Sequence, residues 1–218
     1  MQQPDDSEIL AVQTGKLSHL LIGDSPRSLQ KVCVLSGSFD PLHEGHVKMA
    51  EIAAARTGRE LVYELCLKNV DKPPLTVEKA KQRIGQSFSP HSLALTGAPT
   101  FVEKSTIFHD AMFAVGADTI ERIADPAYYD NDVAKRNQAI NLIREAGCRF
   151  LVFGRAMDRW KRERDQAASN RTDHFRSLSE LSLPKILSSL CEEVSRTEFD
   201  CSASSTEIRN RQISPEAE

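Results

Sequence analysis

One stretch of the sequence, residues 31–50, constrains the fold more than any other. It begins with a short apolar run at 32–35, which is too brief for a stable helix and has the β-branched residues of a buried strand. Small residues and Pro41 then stop the strand, and apolar residues at helical spacing follow from Val47. The pattern predicts strand, loop and helix in succession. Such a junction directs free backbone N–H groups and the positive end of a helix at the loop, which favours phosphate.

Two histidines stand where the predicted helix begins. His43 and His46 are three residues apart, so they share one face of the first turn, and Gly45 leaves space for a close ligand. Two such donors beside exposed amides suit the charge that develops on a phosphoryl group in transfer, so we predict a catalytic pair. A zinc site is disfavoured because the H-E-x-x-H motif places its histidines four apart. Two surface histidines without a role are the other alternative.

The loop and the histidines together carry a family resemblance. The run G-S-F-D-P at 37–41, followed by H-x-G-H at 43–46, resembles the signature of the H-x-G-H nucleotidyltransferase superfamily. That superfamily includes the nicotinamide mononucleotide adenylyltransferases, the phosphopantetheine adenylyltransferases and the cytidylyltransferases, with class I aminoacyl-tRNA synthetases as distant relatives. The resemblance implies that His46 contacts ATP together with Gly37, Ser38 and Phe39.

A second signature lies near the end of the sequence. The run S-S-T-E-I-R at 204–209 brings hydroxyls, helix-start amides and an arginine one turn later into one anion clamp for the β- and γ-phosphates. A plain helix cap is the alternative. The run resembles the family's I-S-S-T-x-I-R motif, with Ala203 in place of the isoleucine. The predicted ATP-binding residues here are Ser204, Ser205, Thr206 and Arg209.

Between the signatures, strand-like runs alternate with helical segments. The clearest strands lie at 61–67, 111–115 and 148–153. The alternation predicts an α/β fold, a Rossmann-like doubly wound parallel sheet with helices on both faces. We expect one further short strand at 91–95, with the run at 100–102 as part of its surroundings, and a last strand region at 188–199. Residues 31–218 form the predicted nucleotidyltransferase domain, and 1–30 an N-terminal appendage or linker with helical spacing over 9–22.

Ligand loops in such folds follow the carboxyl ends of the strands. Asp118 stands there after Gly116, and its carboxylate could bind a ribose or base edge, or cap a helix. The resemblance implies that both residues belong to the acceptor site. It also implies that Lys72 contacts substrate phosphate and that Tyr129 stacks on a pyridine ring; a solvated loop lysine and a tyrosine packed against the scaffold are the alternatives. Arg155 resembles the family's strand-end arginine and would hold ATP phosphate.

Charge and cysteine content exclude several classes of function. A net charge of −3 disfavours a nucleic-acid binder. The sequence has neither a run that could span a membrane nor a signal-peptide pattern, and five scattered cysteines indicate a reducing compartment, cytosol or nucleus. The basic stretch at 158–177 is interpreted as a solvated helix face, with a flap over the triphosphate as the alternative.

The second signature favours one branch of the superfamily. Neither the K-M-S-K-S element of synthetases nor the R-T-x-G-V-S-T-T of cytidylyltransferases is present. The resemblance is strongest to enzymes that join AMP from ATP to nicotinamide mononucleotide, giving NAD and pyrophosphate. It implies Mg²⁺ carried with ATP, no metal held by protein side chains, and a small phosphorylated acceptor as partner; a homo-oligomer is compatible with the sequence. Two alternatives stay open: a phosphopantetheine- or CTP-dependent transferase of the same superfamily, and a non-catalytic nucleotide-binding regulatory domain.

Overall fold

The computed structural model of the protein describes residues 3–23, 26–70, 73–156 and 175–201. Its strands are β1 His19–Ile22, β2 Cys33–Ser36, β3 Leu61–Cys66, β4 Ser92–Thr96, β5 Met112–Gly116, β6 Arg149–Phe153, β7 Arg155–Ala156, β8 Phe175–Arg176 and β9 Cys191–Val194. Its α-helices are α1 Asp6–Thr14, α2 Glu44–Thr57, α3 Val77–Ile84, α4 Phe101–Ile107, α5 Ala117–Ala124, α6 Val133–Glu145 and α7 Lys185–Ser188. Two 3₁₀ turns span Pro126–Tyr129 and Leu178–Glu180.

Seven strands form one sheet in the order β1-β4-β3-β2-β5-β6-β9. Neighbouring strands are parallel throughout, except that β1 runs antiparallel to β4. Counted from β2, the parallel strands follow the order 3-2-1-4-5-6 of dinucleotide-binding folds. The predicted Rossmann-like parallel sheet is therefore confirmed.

Helices pack their apolar residues against both faces of this sheet. Successive strand residues point to opposite sides, so Leu35 joins a core cluster with Ala50 of α2, while Val34 joins the other cluster with Ile120 of α5. The helix that follows β2 thus lies on one face and the helix that follows β5 lies on the other. Adjacent strands whose connections leave in opposite directions open a crevice at their carboxyl ends, where such folds bind ligands.

The N-terminal segment differs from the expected helical spacing. α1 begins after a capping box between Asp5 and Glu8 and ends at Gly15. The second half of the expected helix is instead strand β1, because its residues pair with the open edge of β4 from His19↔Thr96 to Ile22↔Leu93. Buried side chains of α1 also join the main core. The boundary at residue 30 stays a prediction, but within the described chain these elements pack on the sheet.

The structure also tests the strands expected at 91–95 and 188–199 and the run at 100–102. β4 confirms the short strand expected at 91–95, and β9 lies within the strand region expected at 188–199. The run at 100–102 begins helix α4. Thr100 caps the helix, accepting from the backbone N–H of Glu103 at 3.2 Å, while the Glu103 carboxylate accepts from the backbone N–H of Thr100. The T-x-x-E capping box outweighed the β propensity of two residues.

Candidate active site

The loop after β2 is held by a buried aromatic ring. Phe39 has a positive φ of 44° and a fully buried side chain, whose ring packs edge-on against Tyr63, Phe88 and His46. A Cβ at Gly37 would lie 2.5 Å from that ring, so the chain needs glycine there. Of the predicted ATP-binding residues in this loop, Phe39 can therefore offer only its backbone to a ligand. Gly37 and the exposed Ser38 both line the neighbouring cleft.

Helix α3 braces this loop from the side. The Gln86 side-chain amide, just beyond α3, donates to the carbonyl oxygen of Phe39 at 2.8 Å and accepts from the backbone N–H of Leu42 at 2.6 Å. Arg83 forms an ion pair with Asp40 at 2.8 Å. These contacts come from residues more than 40 positions away in sequence, and sequence reasoning did not find them. They fix the path of the chain into α2.

The structure brings the two predicted catalytic histidines together. His43 occupies the N-cap position of α2 and His46 its first turn, with ring centroids 3.8 Å apart. The backbone N–H of His43 donates to Nδ1 of His46 at 3.3 Å. Because Nδ1 accepts a hydrogen bond, the neutral His46 ring carries its proton on Nε2, which makes that nitrogen a donor.

Gly45 has a packing role between them. A Cβ at this position would lie 3.0 Å from Cε1 of His43 and 3.3 Å from the sulfur of Cys201. The glycine therefore lets the His43 ring lie close over the first turn of α2. It also leaves room for the sulfur of Cys201, the last described residue, near the same turn.

The C-terminal segment reaches this point through two anchors. The ring of Phe199 is buried against Phe153 at 5.1 Å between centroids, and the carboxylate of Glu198 accepts from Arg56 of α2 at 3.1 and 3.2 Å. The predicted clamp residues Ser204, Ser205, Thr206 and Arg209 lie outside the described residues. The last described residue, Cys201, stands three positions before the signature begins, and its sulfur lies near Gly45 in the first turn of α2.

A cleft of about 480 Å³ opens beside the loop, over the carboxyl ends of β2, β3 and β4. Its walls come from the loops after those strands, from α4 and α5, and from the 3₁₀ turn that contains Tyr128 and Tyr129. This volume is typical of small-molecule sites. The Tyr129 hydroxyl donates to the carbonyl oxygen of Ile123 at 3.2 Å, and burial raises the pKa of Tyr129. The predicted stacking residue thus lies in the cleft wall with a fixed hydroxyl.

Gly116 and Asp118 precede the cleft-lining residues of α5 along the chain and are not among the residues that line the cleft. Gly116 ends β5 and precedes α5, and a Cβ there would lie 2.6 Å from Oδ1 of Asp118. The carboxylate of Asp118 therefore folds back over the glycine, partly exposed, with Arg122 at 3.9 Å. Helix α5 contributes Thr119, Arg122 and Ile123 to the cleft wall. The strand ends at Gly116, which is also the N-cap of α5, so Asp118 lies in the first turn of the helix and does not cap it. Contact between Asp118 and an acceptor stays a prediction.

The geometry agrees with a comparison to known protein families. Residues 34–211 match the model of the family described as cytidylyltransferase-like. The chain belongs to this cytidylyltransferase-like family. The match begins in β2 and extends through both signatures, so it covers most of the chain. No curated protein matches the sequence significantly.

Membership in the cytidylyltransferase-like family supports nucleotidyltransferase activity and a nucleotide substrate in general, and it specifies neither the nucleotide nor the acceptor.

Among the described residues, no group of three or more His, Cys, Asp and Glu side chains is placed to hold a metal ion. Over the same residues, no helix is both long and apolar enough to cross a membrane.

The structure gives limited information on two predicted phosphate-binding residues, Lys72 and Arg155. Lys72 lies outside the described residues, while its neighbours Lys68 and Pro73 line the cleft. Arg155 lies in β7, where it pairs with Arg176 of β8. Most of the basic stretch at 158–177 also lies outside the described residues.

Several cleft residues of this family member were missed by sequence reasoning. They include two buried charged residues, Glu64 and Lys104, together with Phe101, Arg83 and Arg122. One signal was available: Glu64 interrupts the apolar run L-V-Y-E-L-C-L, and a carboxylate inside a buried strand needs a partner. The identity of that partner, 40 residues away, could not be obtained from local patterns.

Proposed function

We propose that the protein is an adenylyltransferase that transfers AMP from ATP to nicotinamide mononucleotide, forming NAD and releasing pyrophosphate. The observation that carries the proposal is the position of the paired histidines. They stand at the helix start beyond β2, where the sheet reverses its order, and the loop that leads to them lines a cleft with aromatic and cationic walls. Such a crevice is where α/β sheets of this order bind nucleotides.

The proposed reaction is a single in-line displacement. A phosphate oxygen of the acceptor attacks the α-phosphorus of ATP, and the bond from that phosphorus to the bridging oxygen of the β-phosphate breaks. Negative charge grows on the phosphates and leaves with pyrophosphate. No protein nucleophile is needed, because positioning and charge stabilisation supply catalysis.

His46 would donate from Nε2 to the phosphate oxygens on which charge grows, with His43 beside it. The backbone of the loop at 37–39 and the N-terminus of α2 would add amide donors. Arg155 and the second signature would hold the β- and γ-phosphates. The residues of that signature are Ser204, Ser205, Thr206 and Arg209. Mg²⁺ would enter with ATP, held mainly by phosphate oxygens, and would neutralise part of their charge.

The cleft is the proposed acceptor site. Its aromatic residues Phe101, Tyr128 and Tyr129 suit a flat heterocycle, and Tyr129 is the proposed stacking partner. Cations in the wall, Lys68 and Arg122, suit the acceptor phosphate, to which Lys72 would add a further charge. Gly116 and Asp118, which precede the cleft-lining residue Thr119 in the chain, would contact the ribose.

A direct assay tests this proposal. The purified protein is incubated with ATP, Mg²⁺ and nicotinamide mononucleotide, and both NAD and pyrophosphate are measured. We expect the two products in equal amounts. Parallel reactions replace ATP by CTP and the acceptor by phosphopantetheine.

Each contrary result has a definite meaning. Pyrophosphate release with CTP or phosphopantetheine in place of the proposed substrates would assign the protein to another branch of the superfamily. Tight nucleotide binding without pyrophosphate release from any pair would identify a regulatory binding domain and contradict the proposed activity.

A further inference from the structure

The cleft contains a buried ion pair that the proposed reaction does not use. Lys104 of α4 places Nζ 2.7 and 2.8 Å from the two carboxylate oxygens of Glu64 on β3. The hydroxyl of Thr96 on β4 donates to the same carboxylate. The two charged side chains are only 6% and 1% exposed, yet both line the cleft. A ligand that fills the cleft completely therefore touches them.

A second polar feature lies beside the pair. Ser36 is the neighbour of Glu64 across the β2–β3 ladder, and its hydroxyl is buried without a hydrogen-bond partner among the described residues. It also lines the cleft. Buried ion pairs are rarely the most stable choice for a core, and a buried hydroxyl without a partner costs free energy. Both features are accounted for if a ligand forms hydrogen bonds here.

The charges select the kind of group that fits. The ammonium and the carboxylate cancel, so this buried end of the cleft offers one donor and one acceptor without net charge. A neutral group that also has both functions, such as a primary amide, is complementary to it. A carboxylate or phosphate at the same place would face the charge of Glu64 in a poorly screened environment. Lys68 and Arg122, toward the exposed wall, suit the phosphate instead.

We propose that Glu64 and Lys104 bind the neutral amide of the acceptor's heterocycle and thereby select amide-bearing acceptors over their carboxylate analogues. The inference rests on the proposed function, because it concerns the acceptor site of that reaction. It assigns the buried end of the cleft to the base and the exposed wall to the phosphate.

Acceptor binding without ATP tests the assignment. Dissociation constants for nicotinamide mononucleotide and for nicotinic acid mononucleotide are measured by titration calorimetry on the full chain, on Glu64→Gln and on the double variant Glu64→Gln with Lys104→Met. Glu145→Gln, an exposed carboxylate outside the cleft, is the matched control. We expect the unmodified protein to bind the amide at least about tenfold more tightly.

The variants should change this preference in a defined way. Glu64→Gln leaves the positive charge of Lys104 unopposed, so the carboxylate acceptor should bind as tightly as the amide or more tightly. The double variant removes both charges without leaving one unpaired, and the preference should fall to about threefold or less. The control should keep the original ratio. If the single variant does not fold, the double variant decides.

The outcomes separate this inference from the proposed function. An unchanged ratio in the folded variants, or failure of the unmodified protein to bind either acceptor, overturns the inference. Formation of NAD with such an unchanged ratio overturns the inference and leaves the proposed function standing. Binding with the expected ratios but without NAD formation supports the inference and contradicts the proposed function.

Discussion

His46 is the residue on which the proposed chemistry depends most. Its Nδ1 accepts from the backbone N–H of His43, which leaves Nε2–H of the neutral ring as the donor for a ligand. Removing one preorganised donor of this kind lowers turnover by about 10²–10³-fold. We therefore expect His46→Ala to lose NAD formation to this extent in steady-state kinetics, with an unchanged circular dichroism spectrum.

His109→Ala is the matched control, because its side chain is exposed on the loop between α4 and β5. This variant should retain full activity. A folded His46→Ala protein with the turnover of the control would refute the assignment of His46.

Gly45 allows activity and stability to be separated. Alanine is favoured over glycine inside a helix by roughly 0.5–1 kcal/mol, yet its Cβ would lie 3.0 Å from the His43 ring. In Gly45→Ala we expect an unchanged or slightly higher melting temperature together with about a tenfold loss in kcat or more. Both are measured on one preparation, with Lys48→Ala, on the same helix and exposed, as the control. Full activity in Gly45→Ala would show that the position of the His43 ring is not critical.

At the scale of elements, residues from one helix region fix the conformation of a loop elsewhere in the chain. The chain from β2 to α2 contains a positive φ at Phe39 and obtains hydrogen bonds from Gln86, just beyond α3. Without that side chain, a partly buried carbonyl and a partly buried N–H lose their partners. The strand–loop–helix signature thus depends on another helix for its shape.

Gln86→Ala should therefore lower both stability and turnover. We expect a loss of about 1–3 kcal/mol in the free energy of unfolding, measured by urea denaturation, because two backbone groups lose their partner. Turnover should fall about tenfold because the histidines follow the loop. Gln82→Ala, one turn earlier and exposed, should change neither. Equal behaviour of the two variants would show that the brace is dispensable.

Across the molecule as a whole, the ion pair between Glu64 and Lys104 joins β3 to α4 inside the core. Removing one partner leaves a buried charge, so Lys104→Met should cost about 3–5 kcal/mol of the free energy of unfolding. Adding Glu64→Gln should restore most of that loss, since no charge then remains. Urea denaturation of the single and double variants measures the coupling. Additive losses in the double variant would show that the two charges do not stabilise each other.

The sequence was sufficient for the architecture and for the histidine pair, because both rest on local patterns. Apolar runs such as 32–35 and 61–67 identify strands, and the loop after the first run has the small residues and the proline that end a strand. It was insufficient for β1, since a run with only three apolar residues can belong to a helix or a strand until an open strand edge is available to pair with it. The T-x-x-E box before α4 is a local pattern that by itself predicts the start of a helix.

The residues alone predicted the alternation of strands and helices after residue 31, the loop that follows β2, and the paired histidines at the start of the next helix, since each of these patterns lies within about twenty consecutive positions. Folding decided the rest. It placed Gln86 under the loop, Cys201 against α2, and Lys104 on Glu64. These contacts join residues at least 40 positions apart. They follow from the order of the strands in the sheet and from the packing of the helices on it. The spacing of residues along the chain does not determine that arrangement.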